Sequence, residues 1–363
     1  MPDNVPRPTL TIVLPTYNRA GVLDKALRWM RPQVEPFGNA IEVIVSNNHS
    51  TDHTTDVLRQ LEGWSQARVV QPHQHVPAHE HFLWLGTELP RAEYCWMLGD
   101  DDFPLKEGLA RVLAAITAPN AAEYLILNVA VLHLDRWLEL SAGRSEMQMS
   151  ELCLSRITPH AEDKKSDHLR DILECGGGDI FIACGIPAHI FKPAVWRARI
   201  AELNLMHTSN DGRFTNLNNT FPHLSILYAC EGHCRFQFIH DACAVQSCGA
   251  QEWAADQLKL LTNAHPYILA QYRRLGVSEA YLNQAERHYM SHQWKTVVGF
   301  FSQNRNLPEL RRCVQIINRS QPGVFGKLRS LRALVPYLAN NAYGMLPERL
   351  KNLWRGMKRP ARA

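Results

Sequence analysis

Three consecutive carboxylates, Asp100, Asp101 and Asp102, follow the apolar run Tyr94 to Leu98, between Gly99 and Phe103-Pro104. Three carboxylates on one loop repel each other, and a bound cation relieves that repulsion. One or two of them, together with substrate phosphates, form the donor set that Mg²⁺ or Mn²⁺ takes. The dipole of a helix beginning near Leu105 would account for one or two of the acids and leave the third unexplained. A second polar loop, Pro15-Thr16-Tyr17-Asn18-Arg19, offers a rigid turn, small polar groups, an aromatic ring and a cation. It could stack a nucleobase and touch a diphosphate, since Arg suits phosphate recognition. A third, Ser46 to Ser50, precedes Asp52 and the helix that Ser50 or Thr51 would cap.

The elements around these loops read as an alternation. Leu10–Leu14, Ile41–Val45, Arg68–Val70, Tyr94–Leu98 and Tyr124–Val129 have the apolar, β-branched character of buried strands. Helical segments near Gly21–Arg31 (ended by Pro32), Asp52–Leu61, His79–Leu89 and Leu105–Ile116 lie between them. Strands separated by helices form βαβ units and a mainly parallel sheet, hence an α/β fold. Ligands bind such sheets beyond the carboxyl ends of the strands. All three polar loops follow strand ends, which puts them on one rim.

The second half is less regular. Leu138 to Ser166 is polar without a period, and Gly176-Gly177-Gly178 precedes a strand expected over Asp179–Cys184. Phe236–Ile239 is another strand, and beyond Trp253 the pattern is helical, over Ala254–Leu275, Ser278–Phe301, Leu307–Asn318 and Leu346–Met357.

Three segments in order carry a family resemblance: Val13-Leu14-Pro15-Thr16-Tyr17-Asn18-Arg19, Val45 through Thr54, and Trp96-Met97-Leu98-Gly99-Asp100-Asp101-Asp102. Together they resemble the family 2 glycosyltransferases of GT-A fold, over about the first 130 residues. The subgroup they look most like is the abequosyltransferase-like set of bacterial surface-polysaccharide enzymes. The resemblance implies a Rossmann-like GT-A domain over 1–250, with a nucleotide-binding half to about 130 and an acceptor half from 131. A helical C-terminal region, 251–363, follows. It also implies inverting, metal-assisted transfer of a sugar from a nucleotide-diphosphate donor to a hydroxyl of a glycan or lipid-linked oligosaccharide. By position, Pro15, Thr16, Tyr17 and Arg19 line the nucleotide pocket, Asn47 and Asp52 contact the base or support it, Asp100 takes the ribose, and Asp101 or Asp102 the metal. Two positions depart from the family pattern. Asn47 stands where an acid is common, and Gly99 where the acidic motif usually begins.

Such a reaction needs a base for the acceptor's proton. Many relatives supply it from the acid of a Glu-Asp pair in the second half; the candidates here are Asp211, His223 and Asp179. Of the histidines at 73, 75, 79 and 81, the pair 75/79 has metal-ligand spacing on a helix, but Pro77 breaks that helix. They read as solvated loop residues, with the donor as their next most apt contact.

The chain has 363 residues, enough for one main domain and an appended piece. Its net charge of +4 is uneven: from Ser320 to Ala363 nine Lys and Arg face only Glu348, which leaves the preceding part net acidic. Leu346, Leu350, Leu353, Trp354 and Met357 fall on one face of a basic helix, as in an interfacial membrane binder. No nucleic-acid-binding module is recognisable. Nine irregularly spaced cysteines read as reduced, packed thiols, and the N-terminus lacks the apolar core of a signal peptide. The expected location is the cytoplasm, peripheral on the inner face of the membrane. Two other readings compete. A nucleotidyltransferase would want a Gly-rich, Lys-bearing phosphate loop after the first strand, which Pro15–Arg19 is not. The other is a degenerate transferase serving as a binding or assembly subunit.

Overall fold

The computed structural model describes residues 7–133, 155–156, 158, 160–179, 181–207, 216–248, 259–289 and 315. Their centre is a ten-stranded sheet. Strands β1 (Leu10–Thr16), β2 (Ile41–Asn47), β3 (Ala67–Val70) and β4 (Tyr94–Met97) are joined by α1 (Ala20–Val34), α2 (Thr54–Leu58) and α3 (Ala78–Glu88). Next come β5 (Phe103–Pro104), α4 (Lys106–Thr117) and β6 (Tyr124–His133). The second half adds β7 (Ser155–Arg156), β8 (Lys164–Ser166), α5 (Leu169–Leu173), β9 (His189–Phe191) and α6 (Pro193–Leu203). Helices α7 (Leu217–Thr220) and α8 (Pro222–Ala229), strand β10 (Phe236–Cys248) and α9 (His265–Arg274) follow. Residues 279–289 are also helical.

The order β3-β2-β1-β4-β9-β6-β10-β5 keeps β1 to β4 parallel, and β6 parallel to β10, with β9 antiparallel between β4 and β6. Both faces of the central strands are covered, which is why they read as continuous apolar runs rather than alternations. Leu10, Ile12 and Leu14 of β1 face a cluster with Leu23, Leu27 and Met30 of α1 and Leu109 and Val112 of α4. Val13, on the opposite face, joins Phe82 and Leu85 of α3, Trp196 of α6 and Leu224 of α8. Trp196 stacks on Phe191 at 3.7 Å, and Gly86 admits it: a Cβ there would meet the indole at 2.9 Å. Ile268, Leu269 and Tyr272 of α9 belong to the same cluster, so the described part of the C-terminal region packs onto the sheet domain.

Several elements differ from expectation. Helix α1 runs through Pro32 to Val34. Proline removes one hydrogen bond near the helix end, while burial of Trp29, Met30 and Val34 holds the final turn. The strand expected over 179–184 is a turn, closed by the Cys184 N–H on the Phe181 carbonyl (2.8 Å). Gly177 and Gly178 take positive φ (61° and 103°) and deflect the chain, and the local strand is β9 instead. Strand β10 is much longer than Phe236–Ile239. Its register slips between Ile239 and Ala244, which hides its second half from a period-2 reading. A π-helical turn, Leu260–Ala264, precedes α9. Cys95, Cys175, Cys184, Cys230, Cys234 and Cys243 are free thiols. No helix among the described residues is long and apolar enough to cross a membrane. The basic helix expected over 346–357 lies outside the described residues.

Candidate functional site

Parallel pairing sets the site's geometry. The register aligns Thr16 with Asn47 at the carboxyl ends of β1 and β2, and Val13 with Met97 on β4. Continuing past Met97 brings Asp100 beside Thr16, whose hydroxyl donates to Asp100 Oδ2 at 2.8 Å. Arg19, at the start of α1, pairs through Nε with Asp100 Oδ1 (2.9 Å) and through a terminal nitrogen with Asp101 Oδ2 (2.8 Å). Expected on the diphosphate, this guanidinium rests here on the two carboxylates.

Asp102 is tied down differently. Its Oδ2 accepts the Gly99 N–H and its Oδ1 the Ser247 N–H of β10, each at 3.0 Å. Gly99 makes the arrangement possible. A Cβ at that position would lie 2.8 Å from both Asp101 Oδ1 and Asp102 Oδ2. The residue that breaks the family pattern is thus the floor on which two carboxylates converge.

Three carboxylates against one guanidinium leave a surplus of negative charge in a largely buried place. Burial is the main cause that pushes the Asp100 carboxyl up to about 7, with Arg19 lowering it and Asp101 raising it. Burial likewise raises Asp101, against the pull of Arg19. Asp102 is raised well above its ordinary range by burial and then by Asp101. Among the described residues no group of three or more His, Cys, Asp or Glu side chains is arranged to hold a metal ion by itself. A divalent cation here would take one or two of these carboxylates and complete its shell with donor phosphates.

The second loop is held as tightly. Ser50 N–H donates to Asn47 Oδ1 (2.9 Å), and Asn18 N–H to Ser50 Oγ (2.9 Å). Asn18, itself at φ 54°, in turn accepts the Thr51 N–H through its Oδ1 (2.7 Å). The Ser50 bond fixes which end of the Asn47 amide is oxygen. Its Nδ2 has no protein partner among the described residues, so Asn47 presents an N–H donor. Asp52 ties two helix starts together: one oxygen accepts Ala20 N–H (3.1 Å) of α1, the other the Thr54 N–H (3.0 Å) and hydroxyl. The N-cap position of α2 is His53, which makes no side-chain cap bond; Asp52, rather than Ser50 or Thr51, accepts the first N–H of the helix. Burial pushes its carboxyl up, and these hydrogen bonds together outweigh that and hold it low.

The histidines around Pro77 divide. His75 bonds the Asn48 carbonyl (3.0 Å) and lies 4.7 Å, centroid to centroid, from the ring of Tyr17, which is 42% exposed. Asn48 clasps Val76 by both backbone groups. His79 and His81 are buried, contrary to the solvated reading, because α3 starts at Ala78 and turns them into the domain. His81 meets Ser46 Oγ at 2.7 Å, and burial drives its pKa down to about 4.

The three base candidates are not brought together. His223 is 2% exposed in α8, its Nε2 bonded to the Cys184 carbonyl (3.1 Å) and its ring 4.9 Å from that of His189. Burial holds it well below its usual range, as in a packed core histidine. Asp211 lies outside the described residues. Asp179 follows the glycine turn, accepts Phe181 N–H through Oδ1 (2.8 Å), and is raised by burial. Ser247, 145 positions from Asp102, was not legible as part of the site, since only the β5–β10 and β6–β10 pairings bring it there.

Residues 11–137 match the model of Glycosyl transferase family 2. Over 103 residues the chain is 30% identical to the abequosyltransferase RfbV of Salmonella typhimurium, covering 28% of this chain and 30% of that one. It is 46% identical over 55 residues to a validoxylamine A glucosyltransferase of Streptomyces hygroscopicus, 15% of this chain and 13% of the relative. The chain thus spans less than a third of the length of these curated relatives. The crystal structure of S. aureus TarS 1–349 in complex with UDP superposes with a TM-score of 0.51 at 14% identity, over 86% of this chain and 81% of that one. The fold is GT-A.

Proposed function

We propose, from the match of residues 11–137 to the model of Glycosyl transferase family 2, that the chain transfers a sugar from a nucleotide-diphosphate donor, with inversion, to a hydroxyl of a surface-glycan acceptor. The observation that carries this reading is the convergence of Thr16, Arg19 and Asp100–Asp102 on one rim of the sheet, with Asn47 beside them. In this reading Tyr17 and Pro15 flank the base, Asn47 reads its edge, and Asp100 accepts the ribose hydroxyl. A divalent cation, Mg²⁺ or Mn²⁺, on Asp101 and Asp102 would stabilise the charge of the departing diphosphate. Released from the carboxylates, Arg19 would turn to the phosphates.

The acceptor oxygen attacks the anomeric carbon opposite the leaving diphosphate, and its proton passes to a carboxylate. Of the candidates, Asp179 suits this step best. Its Oδ2 has no partner among the described residues, and burial raises its basicity. His223, by contrast, already donates to Cys184. A lipid-linked acceptor would suit the basic helix expected over 346–357, held against the inner face of the membrane. Sedimentation with anionic vesicles tests that point separately.

The principal test is a thermal-shift screen of UDP, CDP, GDP and ADP with and without Mn²⁺, followed by donor hydrolysis in Asp101→Asn and Asp102→Asn. Stabilisation by one nucleotide, dependent on metal, supports the reading. No stabilisation by any of them overturns it. A degenerate binding subunit would bind nucleotide and show no metal-dependent hydrolysis to lose.

A further inference from the structure

Asp179 does not stand alone. The turn that follows it carries Phe181, whose ring lies 4.8 Å from Tyr289 at the end of helix 279–289. Tyr289 in turn stacks on His265 at 4.7 Å and 16°. Phe181 and Tyr289 are half-buried, and His265 is buried with no partner for its Nε2 among the described residues. The π-helical turn Leu260–Ala264 sits immediately before His265. Single π turns inside helices are enriched at functional sites.

This patch is joined to the carboxylate site by packing. Gly185, just beyond the Phe181–Cys184 turn, approaches Gln246 so closely that a Cβ would meet its Oε1 at 2.7 Å. Gln246 precedes Ser247, whose N–H holds Asp102. The Pro187 carbonyl accepts the Trp96 indole N–H (2.9 Å), which fixes the same loop to β4 three residues before Gly99. Helix 279–289 braces the other side: the Tyr281 hydroxyl donates to the Leu173 carbonyl at 3.0 Å, and Gln284 packs on Gly178.

Partly buried aromatic rings that keep some exposed face offer flat apolar area at small entropic cost. The C–H face of a pyranose is apolar, and its rim carries hydroxyls. A carboxylate oxygen beside such rings accepts one of those hydroxyls. We propose that Asp179, Phe181 and Tyr289 form a subsite for the pyranose ring of the acceptor, which stacks on the two aromatic rings with one hydroxyl bonded to Asp179 Oδ2. The C-terminal helical segment thereby supplies part of the acceptor site. This inference rests on the glycosyltransferase reading, and it is tested without requiring turnover.

The probes are methyl α- and β-pyranosides of glucose, galactose and mannose and methyl α-L-rhamnopyranoside, added to the full chain and followed by saturation-transfer difference NMR. At least one is expected to give signal at its ring C–H protons. Phe181→Ala and Tyr289→Ala should weaken that binding about 3- to 10-fold, the loss of one aromatic contact. Phe181→Leu, which keeps an apolar side chain and so guards against misfolding, should lie between. Nucleotide thermal shifts are measured on the same samples. No signal from any pyranoside, or signal unchanged in all three variants, overturns the subsite. Loss of nucleotide response in the wild-type chain overturns the donor reading instead, so the two failures are distinct.

Discussion

Replacing Gly99 by Ala tests the account of the carboxylate cluster at its most exacting point. The new methyl carbon would stand 2.8 Å from Asp101 Oδ1 and from Asp102 Oδ2, and 3.3 Å from Asp102 Cγ. A carbon–oxygen contact of ordinary length needs about 0.5 Å more. Asp102 cannot retreat freely, because Gly99 N–H and Ser247 N–H grip its two oxygens at 3.0 Å. Asp101 is held through its other oxygen by Arg19. Relieving the clash therefore breaks or stretches one to two hydrogen bonds to a buried carboxyl, each costing about 1–3 kcal/mol when its partner is left unsatisfied. We expect a loss of about 2–4 kcal/mol in urea unfolding of the metal-free protein. Displacing two ligands by about half an ångström should lower Mn²⁺ affinity and metal-dependent donor hydrolysis by about 10- to 100-fold. The control is Gly21→Ala near the start of α1, where a Cβ meets nothing within 4 Å. It should be neutral or stabilising by up to about 1 kcal/mol. If Gly99→Ala changes stability by less than about 0.5 kcal/mol and leaves Mn²⁺ affinity intact, Gly99 is not the floor of the site.

The two neighbouring aspartates should separate in the same assays. Asp102→Asn places an amide NH₂ against one of two backbone N–H donors and should cost about 2–3 kcal/mol of stability; Asp101→Asn should cost less stability while still abolishing metal-dependent hydrolysis, and equal unfolding midpoints would refute the distinction. Asn47→Asp exchanges a hydrogen-bond donor for an acceptor, so nucleotide preference should move toward bases with an N–H on the edge it reads, such as uracil, and away from an acceptor edge such as that of cytosine. An unchanged ranking in the nucleotide thermal-shift panel would remove Asn47 from base recognition. His189, whose Nε2 bonds the Ala183 carbonyl (2.6 Å), is lowered to about 4 by burial. Its neutral form stabilises the fold above the unfolded pKa of about 6.5, and that contribution disappears as pH falls toward 4. The stability gap between wild type and His189→Gln should therefore narrow by about 3 kcal/mol at most between pH 6.5 and 4 in urea titrations, and a constant gap would show that His189 does not stay neutral.

The first half of the fold was legible because its determinants are local. Buried strands such as Leu10–Thr16 and Ile41–Asn47 are apolar throughout, and each is followed directly by the polar loop it positions. Parallel βαβ order then put Thr16, Asn47 and Asp100 on one rim without further information. Errors fell where tertiary contacts overrode local pattern. Pro32 sits inside a helix held by its buried neighbours, the glycine turn replaced a strand by a hydrogen-bonded loop, and the bulge in β10 concealed half of that strand.

The residue types at the site, three aspartates after a strand end and an amide opposite Thr16, were fixed by the chain's order alone, since neighbours in sequence share a loop whatever surrounds them. Which oxygen does what was decided only in three dimensions. Ser247 reaches Asp102 across 145 residues, Asp52 accepts the first N–H of two helices at once, and Tyr289 meets Phe181 from a distant helix. Such contacts depend on register and packing between elements far apart in the chain, and no local spacing encodes them. The same holds for Gly99: as a letter it breaks a motif, and in space it is the gap that lets two carboxylates meet.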